Sequence, residues 1–77
     1  MSRAPIGFQD ISTTYQLAYR TYDGNAQVRK LGGRLWEVLP RGGAALYETS
    51  KQAALERALQ LAAAVALRRA ARPRRRA

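Results

Sequence analysis

From Lys51 to Arg72 the chain runs for twenty-two residues without a glycine or a proline. The preceding fifty residues are the opposite, broken at short intervals by Gly24, Gly32, Gly33, Pro40, Gly42 and Gly43. This division constrains the fold more than any other feature. A segment punctuated so often holds only short strands and turns, whereas Ala, Leu, Gln, Glu and Arg in one unbroken run favour a helix. Thr49 and Ser50 are both N-cap types, and Thr49 with Gln52 three places on fits a capping box. At 100° per residue, Ala54, Leu55, Ala58, Leu61, Ala62 and Val65 fall on one stripe, with Glu56 and Gln60 opposite. Arg69 would return to that stripe, so the helix is expected to have left the body by then. Pro73 ends any continuation.

The strands are read from alternation and turn residues. Between Thr13 and Tyr22, Tyr15, Leu17 and Tyr19 point one way and Gln16, Ala18 and Arg20 the other. Asp23-Gly24-Asn25 is a turn, and Ala26 to Leu31 returns as a more polar strand. Gly32-Gly33 turns again into Arg34 to Leu39, Pro40-Arg41-Gly42-Gly43 closes that strand, and Ala44 to Glu48 is the last one. Residues 1–12 have no period. Ile6, Phe8 and Ile11 can form a short edge strand or pack as an arm, and the stretch is read as irregular. The expected fold is α+β: a small antiparallel sheet of three to four strands with one C-terminal helix packed on one face. An irregular arm (1–12), one β-β-(β)-β-α domain (13–67) and a basic disordered tail (68–77) divide the chain.

Such a body leaves about 55 residues for a core, a size at which domains are marginal. Cysteine and histidine are both absent, so neither a disulfide nor a Cys/His zinc site can supplement the core. Trp36 and Val38 share one strand face and Leu35 and Leu39 the other, yet a single helix covers one face only. A homodimer is therefore expected, through Leu35, Leu39 and Leu46 on the second face or through the helix stripe Leu59, Ala63, Ala66 and Leu67. The alternative is that the N-terminal arm folds over that face.

Charge is as unevenly placed as glycine. The net charge is +9. Residues 1–56 hold seven basic and five acidic side chains, whereas residues 57–77 hold seven arginines and no acid. Arg68, Arg69, Arg72, Arg74, Arg75 and Arg76 form the tail, which reaches up to about 33 Å when extended. The natural partner of such a tail is a polyanion, nucleic acid first, although it also suits a merely solubilising end. Catalysis is not expected. There is no His, the five acids are scattered, and Gly32-Gly33 and Gly42-Gly43 read as hairpin turns rather than phosphate cradles. No cofactor and no metal is expected. The longest apolar run, Leu61 to Leu67, is seven residues, far below the roughly 20 that span a bilayer. No apolar leader follows Met1-Ser2-Arg3. The expectation is a soluble cytoplasmic protein, nucleoid-associated if it binds DNA, without a membrane partner.

Sequence reading by the folded body would fall to Arg20, Arg29, Lys30, Arg34 and Arg41, in or beside the strands and turns. Tyr19 and Tyr22 beside Arg20 can stack on unpaired bases or simply pack. The order strand–turn–strand–strand–helix, with Arg34-Leu35-Trp36-Glu37-Val38, a glycine turn, and then Tyr47-Glu48-Thr49-Ser50-Lys51-Gln52-Ala53-Ala54-Leu55-Glu56-Arg57-Ala58, resembles the arm-binding domains at the N-terminus of phage integrases. The resemblance covers residues 15–67. It implies a three-stranded sheet lying in the major groove, a helix backing it, and Arg20, Arg34 and Arg41 on the DNA side. The arginine tail is not part of that pattern, and no catalytic domain is expected after it. The same outline suits small phage and plasmid proteins that block host machinery, such as anti-CRISPR proteins. The expected function is non-enzymatic nucleic-acid binding, DNA ahead of RNA, in a bacterium, phage or plasmid. The competing expectation is a small protein-binding inhibitor or adaptor.

Overall fold

The computed structural model describes residues 4–71. Strands β1 (Phe8–Asp10), β2 (Ala18–Thr21), β3 (Ala26–Gly32), β4 (Leu35–Pro40) and β5 (Leu46–Glu48) precede a single helix, α1 (Lys51–Ala71). Each strand pairs antiparallel with the next, so the sheet order is the chain order. The α+β architecture, antiparallel sheet and C-terminal helix are as expected. The sheet has five strands, not three or four.

The added strand is β1, inside the stretch read as irregular. Its three residues are too few to show alternation, and a preceding turn rather than a hydrophobic pattern aims it. Phe8 N donates to Pro5 O at 3.0 Å, and Gly7 between them takes φ 89°, a conformation that glycine alone adopts freely. That turn delivers Phe8 into the core, where it is 1% exposed. The described part of the arm, residues 4–12, thus extends the sheet at its edge through Phe8–Asp10 instead of folding over the second face.

Strand β2 starts at Ala18, five residues later than the alternation suggests. Hydroxyl groups in residues 11–17 divert the backbone from the ladder. Ser12 Oγ accepts from Ala18 N at 2.9 Å and donates to Ala18 O at 3.1 Å, and Thr13 N donates to Gln16 O at 2.9 Å. Between β3 and β4 the register shifts at Lys30/Gly32. The two-residue turn Gly33–Arg34 carries Gly33 at φ 50°, with glycine in the first central position that tight hairpins favour.

The helix is capped by Ser50 rather than Thr49: Ser50 Oγ accepts from Ala53 N at 3.1 Å. An alanine at the third helical position cannot return the bond, so the expected capping box does not close. Ala54, Ala58, Ala62 and Val65 are buried against the sheet. The first three join Phe8, Tyr19, Ala26, Val28, Trp36 and Val38 in one cluster. Leu55 and Leu61 flank it, half-buried. Three alanines at the centre of the contact let the helix lie close to the large strand side chains. Arg57 Nε reaches Glu48 Oε2 at 3.2 Å and ties helix to β5. The helix passes through Arg68 and Arg69 to Ala71 with both arginines exposed. The tail boundary expected at 68 therefore moves outward, because arginine and alanine extend a helix without needing a surface to pack on.

Candidate nucleic-acid interface

Helix and core occupy one face of the sheet, and the pairing register sorts every strand residue onto that face or the other. Asp10, Tyr19, Val28, Val38 and Leu46 form one row across the helix side. Leu46 was expected on the second face with Leu35 and Leu39. Its pairing with Val38 puts it on the helix side instead, as an edge residue, 37% exposed.

The face away from the helix has two complete rows. The first reads Gln9, Arg20, Gln27, Leu39 from β1 to β4. The second reads Ala18, Arg29, Glu37, Tyr47 from β2 to β5. In the first row Arg20 Nη2 donates to Gln9 Oε1 at 3.2 Å, which steadies the guanidinium at the centre of the polar half. In the second row Arg29 Nε is ion-paired with Glu37, a carboxylate 8% exposed despite lying on the uncovered face. Arg29 is consequently spent on the fold, while Arg20 stays exposed.

The open face is divided. Its β1–β3 half is polar, with Gln9, Arg20, Gln27 and Arg29. Its β4–β5 half carries Leu35, Leu39 and Tyr47, exposed at 42%, 37% and 56%. Neighbouring strands lie about 4.8 Å apart, so Gln9, Arg20 and Gln27 span roughly 10 Å.

The other expected basic residues do not share one surface. Lys30 pairs with Trp36 and so belongs to the helix side. Arg34 lies in the β3–β4 turn at one end of the sheet. Arg41 lies in the β4–β5 turn at the other end, its backbone N donating to Asn25 O at 2.8 Å. Arg68 and Arg69, on the last turn of the helix, line a groove with Arg41. Arg72, Arg74, Arg75 and Arg76 lie outside the described residues. Of the expected dimer contacts on the helix, Leu67 is exposed and Leu59 half-open beside Gly7, where a Cβ would sit 3.5 Å from Leu59 Cδ2.

The acids of the strand-end turns serve the backbone. The Asn25 amide and then the Thr21 hydroxyl, at 3.0 and 2.7 Å, hold the Asp23 carboxyl below its ordinary range. The Ser12 backbone amide does the same for Asp10. Among the described residues no three acidic side chains gather, and no helix is long and apolar enough to cross a membrane.

Gln9 and Gln27 are absent from the sequence-based candidates. Gln9 sits in the stretch read as irregular, and an uncharged amide gives no electrostatic signal. Gln27 could have been found, since it alternates with Ala26 and Val28 and so must face away from the core. No family model, curated protein or solved structure matches this chain.

Proposed function

We propose that this chain is a non-enzymatic nucleic-acid-binding protein that meets duplex DNA with the polar half of its open sheet face. The observation that carries the proposal is the row Gln9–Arg20–Gln27 on the face turned away from the core, with Gln9 and Arg20 exposed and Gln27 half-buried. Arginine pairs with the O6/N7 edge of guanine and glutamine with the N6/N7 edge of adenine. A row of about 10 Å matches a major groove about 12 Å wide. The arginines at the helix end and in the tail add phosphate contacts that position without specifying sequence. A bacterial, phage or plasmid origin and a place on the nucleoid accompany this reading.

Affinity measured on a panel of duplexes over a range of salt tests it. Log affinity should fall with log salt, by about 0.9 per phosphate neutralised. Truncation after Ala71 should weaken binding equally on all sequences and flatten that slope. Arg20→Ala should cost about 1–3 kcal/mol on the preferred site and relax selectivity there. No salt-dependent binding to DNA or RNA at low salt would overturn the proposal.

A second reading rests on the apolar half of the same face. Leu35, Leu39 and Tyr47 form a strip that suits a protein partner, either a second copy of this chain or the target of a small inhibitor. In a homodimer through this strip the two polar halves and two tails would lie on one assembly, raising effective affinity for one polyanion. Light scattering on the wild type and on Leu39→Glu/Tyr47→Glu decides it. A wild-type monomer at tens of micromolar would rule the dimer out.

A further inference from the structure

The open groove at the end of the molecule away from Arg34 is lined by Arg41, Gly42, Val65, Arg68, Arg69 and Ala71 and has a volume of about 750 Å³. Its origin is a mismatch of lengths. At 1.5 Å per residue a helix from Lys51 to Arg69 rises about 27 Å, whereas a six-residue strand such as β4 covers about 20 Å. The last turn of the helix therefore overhangs the β4–β5 turn and brings Arg68 and Arg69 opposite Arg41. Val65, 4% exposed, is the apolar floor. Gly42 is there for the turn, at φ 73°. A Cβ on it would meet nothing within 4 Å, so the groove does not depend on its missing side chain.

Three arginines from two separate elements line one groove, and no acidic residue lines it among the described residues. Neither described ion pair involves them. Arginines in the last turn are sufficiently explained by the helix dipole, but the dipole gives no reason for Arg41 to line the same groove. Like charges brought together in this way raise the affinity of the space for an anion that can bridge them, and arginine forks match phosphate oxygens in pairs.

A second observation places the groove in relation to the sheet. Arg41 and Gly42 also line an adjoining groove with Gly24, Gln27, Leu39 and Pro40. Gln27 and Leu39 belong to the first row of the open face. Arg41 thus stands where the open face and the helix end meet.

We propose that Arg41, Arg68 and Arg69 form a clamp for the phosphodiester backbone of a nucleic acid, with Arg41 as the member that couples the clamp to the base-facing row. The ligand's identity rests on the nucleic-acid reading above, whereas the clamp's chemistry, a bridging oligophosphate, does not. The clamp would set where a bound backbone leaves the sheet, so it fixes register on the duplex without selecting sequence.

The test uses the full chain and two probes. Inorganic pyrophosphate is titrated while the arginine side-chain Nε–H resonances are followed by NMR, and a duplex oligonucleotide is titrated by fluorescence anisotropy. Pyrophosphate should shift Arg41, Arg68 and Arg69 together, ahead of Arg20 and Arg34. Arg41→Ala should weaken pyrophosphate by about tenfold or more and lower the salt slope for the duplex by about one phosphate contact. Arg20→Ala should leave pyrophosphate binding unchanged. The variant Arg68→Gln/Arg69→Gln, which preserves helix propensity, should reproduce the Arg41→Ala effect if the three act as one site. A uniform response of all arginines, or pyrophosphate affinity indifferent to Arg41, overturns the clamp. Pyrophosphate binding that depends on Arg41, with no duplex or single-strand binding, overturns the phosphodiester assignment and leaves a site for free oligophosphate.

Discussion

Replacing Phe8 with alanine should cost this protein most of its stability. Phe8 is the only apolar residue of β1 and is among the largest fully buried side chains, at 1% exposure. A buried phenylalanine withdraws 150 Å² or more from water, about 4 kcal/mol at 25 cal/mol per Å². Phe→Ala substitutions in cores cost about 3–5 kcal/mol once the cavity is included. A chain of 77 residues has about 4–12 kcal/mol in all, at 0.05–0.15 kcal/mol per residue. The variant should therefore show a greatly lowered urea midpoint, and near the lower bound it should be largely unfolded in buffer. Trp36, buried in the same cluster, reports the transition by fluorescence. Ile6→Ala is the control, since Ile6 is 96% exposed two residues away and should change stability by less than about 0.5 kcal/mol. If Phe8→Ala behaves like Ile6→Ala, β1 is not docked, and Gln9 loses its place in the polar row.

Ala58→Leu should destabilise by about 1–3 kcal/mol or more, because Ala58 is fully buried where the helix meets the sheet; thermal melting with circular dichroism measures it. Arg29→Ala should cost about 1–3 kcal/mol by leaving the Glu37 carboxylate unpartnered in a site 8% exposed, and Arg29→Ala/Glu37→Gln should recover part of that in a double-mutant cycle. The acid limb of stability should flatten in Asp23→Asn. The folded carboxyl titrates below its unfolded value, so its contribution is whole above the unfolded pKa and is lost as pH falls through the folded one. Urea unfolding between neutral pH and about pH 2 follows this loss, and an unchanged slope in the variant would refute it.

What was legible in the sequence is what periodicity and turn chemistry encode over many residues. The helix stripe of Ala54, Ala58, Ala62 and Val65 is buried as read. Glycine turns separate β2, β3, β4 and β5, and Trp36 and Val38 lie opposite Leu35 and Leu39. What was hidden depends on partners distant in the chain. Strand β1 has three residues and owes its existence to pairing with β2 and to a pocket for Phe8. The side of the sheet that Leu46 takes is decided by its register against Val38, and a three-residue strand carries too little alternation to reveal it. Arg20 and Arg29 look equivalent as sequence, nine residues apart between similar turns. Only the cross-strand neighbours, Gln27 for one and Glu37 for the other, separate an exposed guanidinium from one held by the fold.

That separation bears on how a chain with so many cations could show any selectivity. Unpaired arginines in a tail or at a helix end attract every polyanion alike, because a phosphate is the same at each nucleotide. Discrimination needs donors and acceptors held at fixed spacing against base edges, and it suffers if a mobile charge can slide past them. In the polar half of the open face, Arg29 is anchored by Glu37 and Arg20 by Gln9, so neither guanidinium swings freely. Glu37 also cancels one positive charge near the centre of the face and leaves Arg20 flanked by two neutral amides. The exposed cations at Arg41, Arg68 and Arg69 are gathered instead at one end, off the row. A molecule arranged in this way can draw affinity from its ends and selectivity from its middle. On the proposed nucleic-acid reading the two would fail separately: loss of the end arginines would weaken binding everywhere, and loss of Gln27 or Arg20 would remove selectivity.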